Sequence, residues 1–153
     1  MNHRMGPRDQ EFADLLLSSH LTTIGRPLAP EGVTGEQLSD WFYTAPFGLL
    51  AHEFSADPVF VYANLQAQKL FGYDWDEFTG LPSRLSAGPQ DRAARDALLK
   101  EVAENGYTDD YRGLRVTRSG RPFWIERVTV WNLTGTNGKA YGQAALIRRW
   151  QDA

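Results

Sequence analysis

The sequence contains no cysteine, which excludes disulfides, thiol nucleophiles and thiolate metal ligands together. Histidine is scarce, with His3, His20 and His52 the only three in 153 residues. No group of His, Asp and Glu has the converging spacing of a zinc site. G-x-S-x-G, H-E-x-x-H, G-x-G-x-x-G and P-loop motifs are all missing, so the common hydrolase, metalloprotease and nucleotide signatures are excluded. A net charge of −3 offers no field for a phosphate backbone, and nucleic acid is not an expected partner. No apolar run approaches the roughly 18 residues of a membrane span. Glu11 and Asp14 interrupt the apolar positions near the N-terminus, against a signal peptide. Neither membrane association nor export is expected, which leaves a cytoplasmic location as the default.

What is present reads as one folded domain with an extension. Hydrophobic residues make up 42% and charged residues 23%, ordinary values for a globular chain. Residues 1–35 read as an N-terminal amphipathic helix and a Pro/Gly-rich loop. In the helix, Asp9 stands at the cap and Phe12, Leu15, Leu16 and Ser19 share one face. The loop from Gly25 to Gly35 holds two prolines and three glycines. Residues 36–150 read as the main domain. A short helix from Glu36 to Tyr43 is stopped ahead of Pro46. FGLLAHEF and VFVYA are strand-like runs joined at Asp57-Pro58. Asn64 stands as the N-cap of LQAQKLFGY, and Asp74 with Glu77 forms a capping-box pattern. Pro89 opens the helix QDRAARDALLKEVAE, which Asn105-Gly106 ends. Its Arg92, Asp96 and Lys100 read as a solvated face.

From Tyr107 onward the period changes to two, with turns at Ser119-Gly120 and Asn137-Gly138, giving a three-strand meander. The expected fold is therefore α+β: a five-stranded antiparallel sheet with helices on one face and an N-terminal helical extension. Strand alternation leaves Leu114, Val116, Trp124, Val128 and Val130 on the opposite face. The N-terminal helix or a second subunit is expected to cover them. Phe47, Phe60, Tyr62, Phe71, Trp75, Phe78 and Trp131 are core candidates first.

This order and spacing resemble a PAS fold. The strings APFGLLAH, DPVFVYAN, LFGYDWDEFTGLPSRLSA, VTVWNL and YGQAA resemble the MEKHLA domain, over about residues 36–150. That PAS-related module closes class III homeodomain leucine-zipper proteins and also occurs as stand-alone bacterial proteins. The absence of a homeodomain and of zipper heptads makes the chain similar to the stand-alone bacterial kind. The resemblance implies a sensory or regulatory role, with the signal passed by dimerisation or to a partner protein.

The string GLPSRLSAGP is also similar to the flavin-photoreceptor motif GxNCRFLxGP. Ser83 replaces the photochemical cysteine and Pro82 the motif's asparagine. The flavin-contacting asparagines of later strands fall near Arg115 and Ile125. A serine forms no thiol adduct and Ile125 makes no hydrogen bond to a flavin edge, so flavin is disfavoured. Haem is disfavoured because the helix Gln90 to Glu104 has no histidine to serve as axial ligand. His52, on the first strand, reads as well as a core histidine as a ligand. Any cofactor is left unnamed.

Strand parity supplies the pocket candidates. If Phe123 and Ile125 face the helices, Arg127, Thr129 and Trp131 do so as well, and Tyr111, Gly113, Arg115 and Thr117 follow on the neighbouring strand. A buried guanidinium needs a partner. Two alternatives stand: an internal salt bridge to Asp109, Glu126 or Glu53, or recognition of a small molecule bearing carboxylate or phosphate. A β-bulge would invert this parity. Arg84, Ser83, Asn64, His52 and Gln143 complete the candidate set. Asp109-Asp110 is no catalytic pair, since strand neighbours point to opposite faces. An enzyme would need a base near Arg115 or Arg127, for which His52 and Glu126 are the candidates. The expected function is a non-enzymatic PAS-like module that binds a small molecule between sheet and helices. The alternative is a structural interaction module with a filled core.

Overall fold

A computed structural model describes residues 5–153; His3 and the rest of the first four residues lie outside them. Local signals place most elements. The Asp9 side chain accepts from Phe12 N at 2.9 Å and starts α1 (Gln10–Ile24), which ends on Gly25 at φ 85°. After the Pro/Gly loop comes α2 (Glu36–Thr44), then β1 (Gly48–Glu53) and β2 (Phe60–Ala63). Asn64 caps α3 (Leu65–Phe71), and Asp74 and Glu77 make a reciprocal capping box on α4 (Trp75–Phe78). Two 3₁₀ turns, Ser83–Ser86 and Pro89–Asp91, lead into α5 (Arg92–Asn105). Pro89 thus opens a 3₁₀ turn, one step before the α-helix begins.

The chain closes with β3 (Tyr107–Val116), β4 (Pro122–Thr134) and β5 (Ala140–Asp152). Gly120 and Gly138 take the left-handed conformation at the two turns, which a side chain would resist. The sheet is antiparallel with order β2-β1-β5-β4-β3, so the first two strands dock on the last rather than on the third. Among the described residues no helix is long and apolar enough to cross a membrane.

Two cores lie on opposite faces of this sheet. On the inner face, Leu50, Phe60, Ile125, Val128, Val130 and Ile147 pack with Phe71 of α3, Phe78 of α4 and Leu98 and Val102 of α5. On the outer face, Phe12, Ala13 and Leu16 of α1 and Leu38 and Phe42 of α2 cover Leu49, Ala51, Tyr62, Trp131 and Leu133. Ser19 fastens α1 to β4, donating to the Thr134 carbonyl at 3.1 Å and accepting from Thr134 N at 3.0 Å.

Strand parity departs from simple alternation at one place. Tyr111 pairs with Val128 and Gly113 with Ile125, so β4 carries one extra residue there; β3 carries another between Thr108 and Tyr111. The two non-glycine residues with positive φ, Asp110 at 58° and Arg127 at 51°, sit in these bulges. An inserted residue turns every later side chain to the other face. Val128 and Val130, expected on the outer face, therefore point inward, and Thr129 and Trp131, expected to face the helices, lie outward. Trp124 precedes the β4 bulge, Leu114 and Val116 lie beyond the β3 bulge in register with that end of β4, and all three remain on the outer face, half-buried.

Candidate functional site

The inner face encloses a cavity of about 40 Å³ between β1, β3, β4, β5 and α5. Its walls are mostly apolar, and its polar members are His52, Ser86, Arg95, Tyr111, Arg115 and Gln143. Beyond it an open cleft of about 410 Å³ runs past Asp57, Pro58, Ser83, Arg84 and Lys100. His52, Arg95, Leu99 and Gln143 line both spaces and so form the passage between them.

Each polar side chain is positioned by its element. His52 and Gln143 are cross-strand partners on β1 and β5. Gln143 Nε2 donates to the Leu99 carbonyl at 2.9 Å and to Asn132 Oδ1 at 3.2 Å, and Asn132 Nδ2 donates to the Val102 carbonyl at 3.0 Å. The sheet thereby grips the C-terminal half of α5. Tyr111 and Arg115 lie four residues apart on β3, where Arg115 Nη1 donates to the Tyr111 hydroxyl at 3.3 Å and to the Leu114 carbonyl at 2.9 Å. Gly113 between them makes this possible. A Cβ there would run into the Tyr111 hydroxyl and stand 2.9 Å from Arg115 Nη1.

Arg95 was not foreseen among the site residues. It is only 5% exposed, as Arg115 is 7% exposed. Its spacing to Leu98 and Val102 puts it on the buried stripe of α5, and that i, i+3, i+7 pattern was the available signal. A charged residue inside a run of charged residues reads as solvated, which hid it. Burial, followed by the charge of Arg115, pushes Arg95 down to about 10, so it still carries its proton at neutral pH.

The other expected residues scatter. Arg127 is exposed, on the outer surface beside Asp110, Arg112 and Glu126; the bulge that it occupies takes it away from the cavity. Asn64 is fully buried but spends its side chain on backbone groups: Oδ1 accepts from Leu49 N and Ala67 N, and Nδ2 donates to the carbonyls of Phe42 and Phe47. With every donor and acceptor used it is a structural joint and not a cavity residue. Phe123 packs on Phe71 with centroids 5.1 Å apart, outside the cavity lining. Ser83 and Arg84 reach only the outer cleft, where Arg84 grips Asp57 with Nε at 3.2 Å and Nη2 at 3.4 Å. Tyr111, Arg115, Ile125, His52 and Gln143 do line the cavity.

The three carboxylates considered as internal partners are engaged elsewhere. Glu53 accepts from Val59 N and Ser55 in its own turn. Asp109 holds Thr129 and Arg26. Glu126 holds Arg112 and Gln151. No acidic residue lines the cavity, and among the described residues no group of His, Asp and Glu is placed to hold a metal ion.

The two described histidines are both buried and both shifted below the ordinary 6.5. Burial is the main cause for each, aided by Arg95 at His52 and by Arg26 and Arg148 at His20. Their Nδ1 atoms contact the carbonyls of Glu53 at 3.1 Å and Arg26 at 2.7 Å, which opposes the shift. A folded pKa below the unfolded value means that stability is complete above about pH 6.5 and is lost as pH falls toward the folded pKa. The slope reaches about 1.4 kcal/mol per pH unit for each histidine that stays neutral. The urea midpoint should therefore drop between pH 7 and pH 5.5, above the range where Asp109 and Glu126 titrate. Replacing both residues by glutamine should flatten that drop, and a wild-type midpoint constant over the window would contradict the assignment.

Comparisons with known structures give the fold its class. The PAS domain of a protein from Colwellia psychrerythraea is similar with a TM-score of 0.65 at 18% identity, covering 77% of this chain and 95% of that one. A light-oxygen-voltage domain studied with a flavin analogue has a TM-score of 0.60 at 20% identity, covering 76% and 84%. An RNA-binding light-oxygen-voltage receptor has a TM-score of 0.65 at 20% identity, covering 82% of this chain and 35% of that one. The fold is that of PAS domains. The chain belongs to the MEKHLA domain family, whose profile matches residues 10–152 and so takes in α1 with the sheet. A search of curated proteins finds no match.

The flavin named for one of these neighbours does not fit here. A cavity of about 40 Å³ lies far below the roughly 300 Å³ at which drug-sized sites begin. Ser83 stands at the outer cleft instead of facing that cavity.

Proposed function

We propose that the chain is a non-enzymatic sensory or regulatory module that holds a small molecule between the sheet and α5 and signals through its α1 face. The observation that carries this is the alternation along β4. Val128 and Val130 line the cavity while Thr129 and Trp131 face outward, with Trp131 packed in the core under α1. A ligand that moves the inner residues of β4 must also move what α1 rests on, because packed interiors transmit strain. A change in α1 docking would then alter dimerisation or the surface offered to a partner protein.

Native mass spectrometry and hydrogen exchange test this. Binding of any member of a mixed panel of neutral, acidic and basic small molecules should slow exchange in α5 and change it in α1. The competing reading is a structural interaction module, and the small cavity volume favours it. Absence of binding across the whole panel, with no copurified mass, would establish that second reading and overturn the first.

A further inference from the structure

The charges around the cavity invert the usual arrangement. Exposed arginines take the carboxylates: Arg8 pairs with Asp40, Arg84 with Asp57, Arg112 with Glu126 and Arg118 with Glu77. Of the two buried ones, Arg95 has only a long ion pair to an exposed carboxylate and Arg115 has none among the described residues. Arg95 has no hydrogen bond to protein among the described residues, and its closest acid is Asp96 at 3.8 Å, whose side chain is 70% exposed. Among the described residues Arg115 bonds only a neutral hydroxyl and a carbonyl. Both guanidiniums line one cavity that contains no acid. Two like charges in a low-dielectric space repel and are poorly solvated. Such an arrangement is stabilised when an anion completes it.

We propose that the cavity receives a small carboxylic acid, its carboxylate between Arg95 and Arg115 and its short hydrocarbon against Leu50, Phe71, Ile125 and Val130. This deepens the reading of the chain as a ligand-holding module and rests on it. The chemistry favours a carboxylate over inorganic phosphate. The remaining walls are mostly hydrocarbon, with His52, Ser86, Tyr111 and Gln143 the other polar members, a setting that suits a carboxylate with an apolar tail better than a phosphate polar on every side. Arg95 borders the open cleft as well, so the anion has an entry path. Tyr111 holds Arg115 in place over Gly113 and acts as a positioning residue.

The experiment compares matched short-chain pairs, scaled to a cavity of about 40 Å³, on the wild-type protein by calorimetry: formate with formamide, acetate with acetamide, propionate with propionamide, and inorganic phosphate alone. Carboxylates should bind roughly tenfold or more tightly than their amides. Arg95→Met and Arg115→Met should each remove that preference while amide binding changes little. Equal binding of acids and amides, or binding of phosphate alone, would overturn the carboxylate assignment and leave the ligand-holding reading standing. Binding of none of these probes would overturn the assignment too, and the mixed panel above then decides the broader reading. Because the acid-to-amide ratio is read on the wild type, the test stands even if an arginine variant fails to fold.

Discussion

Asn64→Ala should lower the unfolding free energy by about 3–5 kcal/mol. The side chain is fully buried and joins four backbone sites from α2, the α2–β1 connection, β1 and α3. Alanine removes all four bonds and leaves two amides and two carbonyls without partners where water has no room. Each unmet buried group costs about 1–3 kcal/mol, and the loss of an N-cap is included in that sum. Some relaxation will recover part of it, which sets the range. Against a typical total of 5–15 kcal/mol this is a large fraction of the fold's stability, and urea denaturation at neutral pH measures it directly. Asn64→Asp should also destabilise, since it keeps the two acceptors but loses both donors and buries a charge. A loss below about 1 kcal/mol for the alanine variant would mean that the joint is dispensable.

Gly142→Ala should be comparably damaging, by about 3 kcal/mol or more, for a steric reason unrelated to dihedral freedom. Gly142 lies on β5, between Leu133 of β4 and Glu53 of β1. A Cβ at this position would overlap the His52 carbonyl oxygen and stand 2.9 Å from both the His52 carbonyl carbon and Glu53 Cα. All of these are backbone atoms of the adjacent strand, so no side chain can swing aside. Relief requires β1 to move, which loosens the His52–Gln143 pair at the cavity mouth and the pairing that fixes the first hairpin to the sheet. Gly6→Ala, with nothing within 4 Å of its Cβ, is the matched control and should stay within about 0.5 kcal/mol. Equal effects of the two substitutions would show that β5 accommodates the methyl and would remove the close-approach argument.

How much of the molecule was legible beforehand depends on the range of the interaction involved. The caps at Asp9, Asn64 and Asp74 and the turns at Gly120 and Gly138 involve groups within a few residues of one another. Composition alone nominates them, and each stands where the residues put it. The candidate site was legible in part: Arg115, Tyr111, Ile125, His52 and Gln143 line one cavity, and Arg115 was drawn from alternation counted over a short stretch of strand. Arg127 was drawn from the same counting carried across a bulge. Asn64 was nominated both as a cap and as a pocket residue, and a side chain with four backbone bonds has nothing left for a ligand.

The sequence by itself determined the element order, the helix starts at Asp9, Asn64 and Asp74, the hairpin turns and the family, because these rest on local chemistry and on strings of residues that persist in the chain. Only the tertiary structure decided which way β4 faces, that β1 and β2 pair beyond β5, and that Arg95 and Arg115 share a cavity with no carboxylate. The physical reason is that facing is cumulative. The inserted residue at Arg127, at a φ of 51°, turns all that follows it through to the other face, bringing Val128 and Val130 to the cavity and Trp131 to α1. Arg95, on a helix far from β3 in sequence, becomes a partner of Arg115 only when α5 closes over that face.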